Sequence, residues 1–239
     1  MTAIKLATPS VELVERNASD FRVIQAMLVS TRGGEELTEE DRRDSSIEGR
    51  INFLMQNRHG TPFEHTFFKF RVYAPIAVYR EHHRHRIGWS YNEESGRYRQ
   101  LEPEFYMPPR NRPLVQTGKP GAYEMGPGNL AQHEMMETIL KNSFERAYED
   151  YLVLMGMGIA KEVARGVLPV YIMSSMYATC NARSLMAFLS LRTDEPSSYF
   201  PSKPMWEIDQ FVARQYEQAF KDSMPITYKM FNRHGRVAP

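Results

Sequence analysis

Cysteine is almost missing from this chain: Cys180 is the one copy in 239 residues. That excludes an intrachain disulfide and any cysteine-rich metal cage, and it points to a reducing compartment. Long apolar runs are missing as well. The longest nearly apolar stretch, 151–160, contains two glycines and is far too short to span a bilayer. No basic-then-apolar signal pattern opens the sequence. These absences set the expectation of a soluble, cytoplasmic protein with no membrane partner.

Excess charge of one sign is absent too. Lys and Arg total 30 against 29 Asp and Glu, a formal net charge of +1, so there is no global field of the kind general nucleic-acid binders use. Lysine itself is scarce, 8 against 22 arginines. The arginine excess suits planar, bidentate recognition of phosphate or carboxylate, and codon bias in a GC-rich genome would give the same excess. Glycine-rich phosphate loops are also lacking. Gly156 and Gly158 follow a helical pattern rather than a strand and have no third glycine, and no Walker-type loop is present. A dinucleotide bound here would not sit on a Rossmann unit.

What the chain does have is concentrated in residues 80–99, which hold five arginines and three of the seven histidines. Such a density of charge belongs on a site or a solvated face rather than in a core. His82, His83 and His85 lack the i, i+4 spacing and carboxylate partner of helical zinc sites, so no metal is expected. Interleaved with Arg80, Arg84 and Arg86, their rings suit stacking and donation around an anionic aromatic ligand, or a solvated helix face on which Glu81 pairs with Arg84 or His85. Ser95-Gly96-Arg97 combines a hydroxyl, a glycine free to adopt positive φ and a guanidinium, the ingredients of a phosphate nest. Cys180 has no adjacent histidine and reads as a buried structural thiol.

Along the chain, 239 residues suggest one compact domain, 1–239. Residues 10–16 read as a strand, 20–31 as a helix on Phe21, Ile24 and Leu28, and 32–46 as a surface loop. A helix then starts under a Ser45 or Ser46 cap, with Ile47, Ile51 and Leu54 inward and Gly60 just past its end. Thr61 and Glu64 fall in the following connection, where binding residues concentrate. Residues 66–73 alternate, with Phe68, Phe70 and Val72 on one face. Pro75 is placed to open a helix running into the Arg84 region. Residues 101–129, rich in proline and glycine, form a loop excursion with at most a short strand near Phe105.

A long helix, 130–155, carries Met136, Leu140, Phe144, Ala147, Tyr151 and Met155 as its apolar stripe. A shorter helix ends at Arg165, before Gly166 and Pro169, where the guanidinium either caps carbonyls or binds an anion. Residues 170–179 read as a strand and 181–192 as a helix packing Leu185, Phe188 and Leu189. On that helix Arg192 continues the Leu185, Leu189 row and aims its head past the apolar stripe. A helical pair covers 203–231, and 232–239 is expected to be a loose tail. The fold class is α+β, helix-rich, with a small and mainly antiparallel sheet.

Four stretches in register, Arg84-His-Arg86 with Ser95-Gly-Arg-Tyr98, His59-Gly-Thr-Pro-Phe-Glu-His65, Arg165-Gly-Val-Leu-Pro169, and Asn181-Ala-Arg183 through Arg192, resemble the flavin-dependent thymidylate synthases. The resemblance implies methylation of dUMP to dTMP, with 5,10-methylenetetrahydrofolate giving the carbon and NADPH, through FAD, the hydride. It also implies a homotetramer with active sites between subunits. By position, Ser30, Thr61, Arg84, His85, Arg86, Glu93, Asn181 and Arg183 would meet FAD. Glu81, Arg84, Glu93, Glu94, Ser95, Gly96, Arg97, Arg165 and Arg192 would meet dUMP. Arg192 matches the arginine that stabilises the ionised uracil ring, and a fixed cation there makes C5 nucleophilic without cysteine attack.

Two departures stand out. Eight residues, rather than the family's seven, separate Arg86 from Ser95, the extra one falling at Gly88-Trp89. Ala187 also occupies a position that is often polar near the flavin. The competing reading is a single-stranded nucleic-acid binder using Arg84, His85, Arg86, Trp89 and Tyr91 as a charged stacking platform, against which the near-zero net charge argues.

Overall fold

The computed structural model describes residues 3–33, 36–119 and 122–239. Gly34 and Glu35 of the expected 32–46 loop, and Pro120 and Gly121 of the 101–129 excursion, lie outside the described residues. In chain order the elements are β1 (Lys5–Ala7), β2 (Ser10–Asn17), α1 (Asp20–Arg32), α2 (Asp44–Gln56), α3 (Thr61–Glu64), β3 (Phe67–Pro75) and α4 (Ile76–His82). Next come β4 (Trp89–Glu93), β5 (Glu104–Tyr106), β6 (Val115–Lys119), β7 (Ala122–Gly126), α5 (Leu130–Gly156), α6 (Lys161–Ala164) and a 3-10 turn, Arg165–Val167. They end with β8 (Met173–Cys180), α7 (Ala182–Arg192), a π-helical segment (Ile208–Ala213), α8 (Arg214–Ser223) and α9 (Pro225–Arg233). The fold is α+β, helix-rich, with a small sheet whose β2–β3 and β4–β8 pairings are antiparallel.

Two compact units divide the chain: one holds Met1–Pro9, Ala74–Ala77 and Glu94–Ser174, the other Ser10–Tyr73, Val78–Glu93 and Ser175–Pro239. In the first, Asn129 and Gln132 form a reciprocal capping box that starts α5. One α5 face buries Phe144, Tyr148 and Tyr151 against Leu101, Phe105, Ala164 and Ile172. Phe105 stacks on Phe144 at 4.7 Å, and the Tyr148 hydroxyl donates to the Leu101 carbonyl at 2.9 Å. The short strand expected near Phe105 is β5. The rest of that excursion is more regular than expected, because β6 and β7 pair as an antiparallel hairpin. Its residues are mostly exposed, so no alternation of apolar and polar residues marks it in the sequence.

In the second unit the strand order is β2-β3-β8-β4. Phe68, Phe70 and Val72 of β3 are fully buried, and Phe70 stacks on Tyr216 at 4.1 Å. Leu185, Phe188 and Leu189 of α7 are likewise buried. The Asp20 carboxylate accepts from the amides of Ile226 and Thr227 at 3.0 and 2.7 Å, satisfying the first turn of α9.

Several expected boundaries move. Helix α2 starts at Asp44 with no side-chain cap from Ser45 or Ser46. Thr61 and Glu64 lie in the short helix α3, because Pro62 suits a first helical turn. Pro75 ends β3 rather than opening a helix, and α4 stops at His82, which leaves Arg84 to Arg86 outside it. Strand β8 begins at Met173 rather than at residue 170. The 232–239 tail is packed rather than loose: Arg236 is 2% exposed, and the Pro239 carbonyl accepts from Arg183 at 2.7 Å.

Candidate active site

After α4 the chain turns through residues 83–88 to reach β4. Backbone bonds from Arg84 N–H to the Glu81 carbonyl and from His85 N–H to the His82 carbonyl shape the turn, and the Tyr91 hydroxyl holds the His85 carbonyl at 2.7 Å. The turn gives the three histidines different surroundings. His82 is fully buried among Trp89, Tyr91, Phe188 and Tyr216, with Nε2 3.0 Å from the Tyr216 hydroxyl. Burial pushes its pKa far below the usual histidine range, so the ring is neutral. This corrects the expectation that the whole stretch lines a site or a solvated face: His82 belongs to the core.

His85 is partly buried and lies against Phe188, ring centroids 4.7 Å apart. Its Nε2 accepts from Arg192 Nε at 2.9 Å. Burial first, and the Arg192 charge second, push its pKa down to about 4. Arg192, the last residue of α7, also donates from one terminal nitrogen to Glu81 Oε1 at 2.5 Å. Glu81 Oε2 accepts from the Met205 amide at 3.3 Å, so one carboxylate ties α4, α7 and the segment entering the next helix. With 18% and 22% of their side chains exposed, Arg192 and Glu81 are neither solvated nor sealed.

Next to them Arg84 and Arg86 are exposed, and among the described residues neither guanidinium has a protein partner. Residues 86–89 make a tight turn, with Trp89 N–H bonded to the Arg86 carbonyl. Gly88 adopts φ +67°, and a Cβ there would lie 2.2 Å from Ser184 Oγ and 2.8 Å from Asn181 Nδ2. Ser184 Oγ donates to the Ile87 carbonyl at 2.8 Å, and Asn181 caps α7 through the Ser184 amide at 2.8 Å. Ile87 is left 92% exposed. Ser184 was not singled out from the sequence; its place three residues after a helix-capping asparagine is the signal that could have found it.

Arg183 bonds Glu64 at 2.6 Å and packs over Gly60, where a Cβ would sit 2.4 Å from its Nε. This brings Arg183 to the α3 segment that carries exposed Thr61. Glu93 is exposed at the end of β4, paired in register with Met176. Ser30 is exposed on α1, its hydroxyl donating to the Met27 carbonyl, and no contact among the described residues joins it to the Arg84 group. Cys180 ends β8 at 2% exposure, and burial pushes its thiol well above the ordinary range, as a structural thiol requires.

The first unit carries the rest of the expected set. Gly96 is buried, and it does not adopt the expected positive φ. Space around it is tight instead: a Cβ would meet Leu101 Cδ1 at 3.1 Å and Arg165 Cδ at 3.3 Å, so those side chains would have to give by a few tenths of an ångström. This close approach joins Ser95, Gly96 and Arg165. Ser95 Oγ accepts from the Arg97 amide at 3.3 Å, and Glu94 pairs with Arg99 at 3.1 Å. Arg97 pairs with Glu162 at 2.6 Å, but both are about half exposed, a contact worth little and readily exchanged for an anionic ligand. Arg165 is exposed and without a partner among the described residues.

The donor set fits a flavin dinucleotide: unpaired Arg84 and Arg86 suit a pyrophosphate, and the neutral ring of His85 adds a hydrogen-bonding surface. Among the described residues no group of three or more His, Cys, Asp or Glu could hold a metal ion, and no helix is long and apolar enough to cross a membrane.

Within a helix-rich α+β fold, exposed and unpaired Arg84 and Arg86 adjoin an Arg192 held by His85 and Glu81, a donor set suited to an anionic ligand. Residues 12–226 match the family model described as thymidylate synthase complementing protein. The flavin-dependent thymidylate synthase of Streptomyces avermitilis is 51% identical over 230 residues, 96% of this chain and 93% of that protein. That of Tropheryma whipplei (strain TW08/27) is 46% identical over 239 residues, covering 100% and 98%. The crystal structure of a UMP/dUMP methylase, PolB from Streptomyces cacaoi, bound with 5-Br dUMP, matches with a TM-score of 0.91 and 45% identity, covering 99% of this chain and all of that one. The chain belongs to the flavin-dependent thymidylate synthase family, and it is an FAD-dependent methyltransferase.

Proposed function

We propose that the enzyme methylates dUMP at C5 to give dTMP, taking the carbon from 5,10-methylenetetrahydrofolate and reducing equivalents from NADPH. The observation that carries this reading is the Arg192 guanidinium, held at one nitrogen by neutral His85 and at another by Glu81. A cation so fixed, placed at O2 and N3 of a uracil ring, favours the ring anion and moves electron density to C5. FAD, when bound, supplies the reducing chemistry, so no cysteine nucleophile is needed. Buried Cys180 is consistent with that.

Arg84 and Arg86, with Ser30, Thr61, His85, Glu93, Asn181 and Arg183, would hold FAD. Ser95, Gly96, Arg97 and Arg165 would bind the nucleotide phosphate through amides and guanidinium groups. Glu81, Arg84, Glu93, Glu94 and Arg192 complete the dUMP set. The active sites are assigned to subunit interfaces of a homotetramer, on the family resemblance. A second reading, methylation of UMP, is favoured by 45% identity to a protein named a UMP/dUMP methylase.

Purified holoenzyme given dUMP or UMP with both co-substrates, and its products identified by mass, separates these readings. dTMP is the expected product, and absence of any methylated pyrimidine refutes both. Arg192→Ala is expected to lower kcat by about 10²-fold or more while bound FAD, read from its visible absorbance, is retained. Near-normal turnover in that variant would remove the ring-ionisation role.

A further inference from the structure

Arginine presents five N–H donors in a rigid planar fork and has no acceptor. In Arg192 the Nε–H points to His85 Nε2 at 2.9 Å, and one terminal nitrogen donates to Glu81 Oε1 at 2.5 Å. Two contacts on different nitrogens of one plane fix its orientation, whereas one would leave it free to swivel. The second terminal nitrogen has no partner among the described residues. Because arginine cannot accept, His85 must offer a lone pair at Nε2, and its ring proton must sit on Nδ1.

We propose that His85 is a positioning residue for Arg192: its Nε2 lone pair turns the guanidinium so that the outer, unpaired edge meets the uracil ring. This rests on the dUMP reading above. The histidine is itself held in place. Its ring lies against Phe188, one helical turn before Arg192 on α7, and its carbonyl is bonded by Tyr91. A neutral ring is the suitable partner. A second carboxylate beside Glu81 would orient the fork equally well but would cancel the positive charge that favours the ring anion. Burial first, and then the Arg192 charge, oppose protonation of His85 and leave it uncharged near neutral pH, with Glu81, His82, His83 and Tyr91 the other ionisable groups nearby.

The test uses holoenzyme with His85→Phe, which cannot accept, and His85→Gln, whose amide oxygen can. Arg192→Lys, which has no fork to orient, is made alone and combined with His85→Phe. Readouts are kcat and KM for dUMP, dUMP affinity by calorimetry, bound FAD by absorbance, and the ¹⁵N shifts of His85 in unsubstituted holoenzyme. His85→Phe is expected to lower kcat and dUMP affinity at least about tenfold at saturating FAD, with His85→Gln recovering most of the loss. In the Arg192→Lys background the same change is expected to alter dUMP affinity by less than about twofold. The ¹⁵N shifts are expected to show an unprotonated Nε2, a readout that survives if a variant fails to fold. The proposal is overturned if Nε2 carries the proton, if His85→Phe matches the unsubstituted enzyme, if saturating FAD restores its rate, or if its cost is undiminished beside Arg192→Lys. If the unsubstituted enzyme forms no product from dUMP, the dUMP reading fails instead, and the ¹⁵N measurement still reports on the Arg192–His85 bond.

Discussion

Cys180 ends β8 opposite Trp89, sealed from solvent, and no cation or histidine reaches its sulfur among the described contacts. A thiol becomes a nucleophile when its thiolate is favoured, and here desolvation does the reverse. Cys180→Ala is therefore expected to keep kcat within about twofold and to cost about 1 kcal/mol of stability, from one buried atom lost. Steady-state rates and a denaturant midpoint check both parts. Loss of turnover in a folded variant would bring back covalent catalysis. The same rule, burial deciding chemistry, separates the neighbouring histidines: His82 is enclosed by four aromatic rings, while His85 reaches a charged group. Residue spacing alone could not make that distinction.

At the level of elements, the tail holds both ends of α7. Arg236 donates to Glu217 at 2.6 Å and to the Thr193 hydroxyl at 3.0 Å, directly after Arg192, while the Pro239 carbonyl meets Arg183 near the start of the helix. Removing one partner of a buried pair leaves the other charge desolvated. Arg236→Met is expected to destabilise the protein by about 3 kcal/mol, read from denaturant unfolding. A shift under about 0.5 kcal/mol would make the tail a passenger. This is also where sequence reading met its limit. The β3 alternation and the α7 row are local patterns, and they were legible. The tail's anchor is Glu217, 19 residues away from Arg236, and no local pattern carries that contact. Gly96 shows a subtler limit: the expectation was a positive φ, whereas what crowds the position is the approach of Leu101 and Arg165.

For the molecule as a whole, the open issue is how many chains make a site. Helix α5 packs one face on the first unit's core, yet its Met135, Ile139 and Val153, with Met157 just past its end, stand 57–74% exposed in two i, i+4 pairs. Exposed apolar stripes of this kind mark association surfaces, and a net charge of +1 gives little repulsion to oppose it. On the homotetramer proposed above, light scattering is expected to give about four times the 27.8 kDa chain mass. Ile139→Lys with Val153→Lys is expected to lower that mass by placing charge on the stripe. If each site draws residues from more than one chain, the same variant loses bound FAD along with its partners. A single-chain mass with full FAD occupancy would remove the tetramer reading, because every group that holds FAD would then come from one copy.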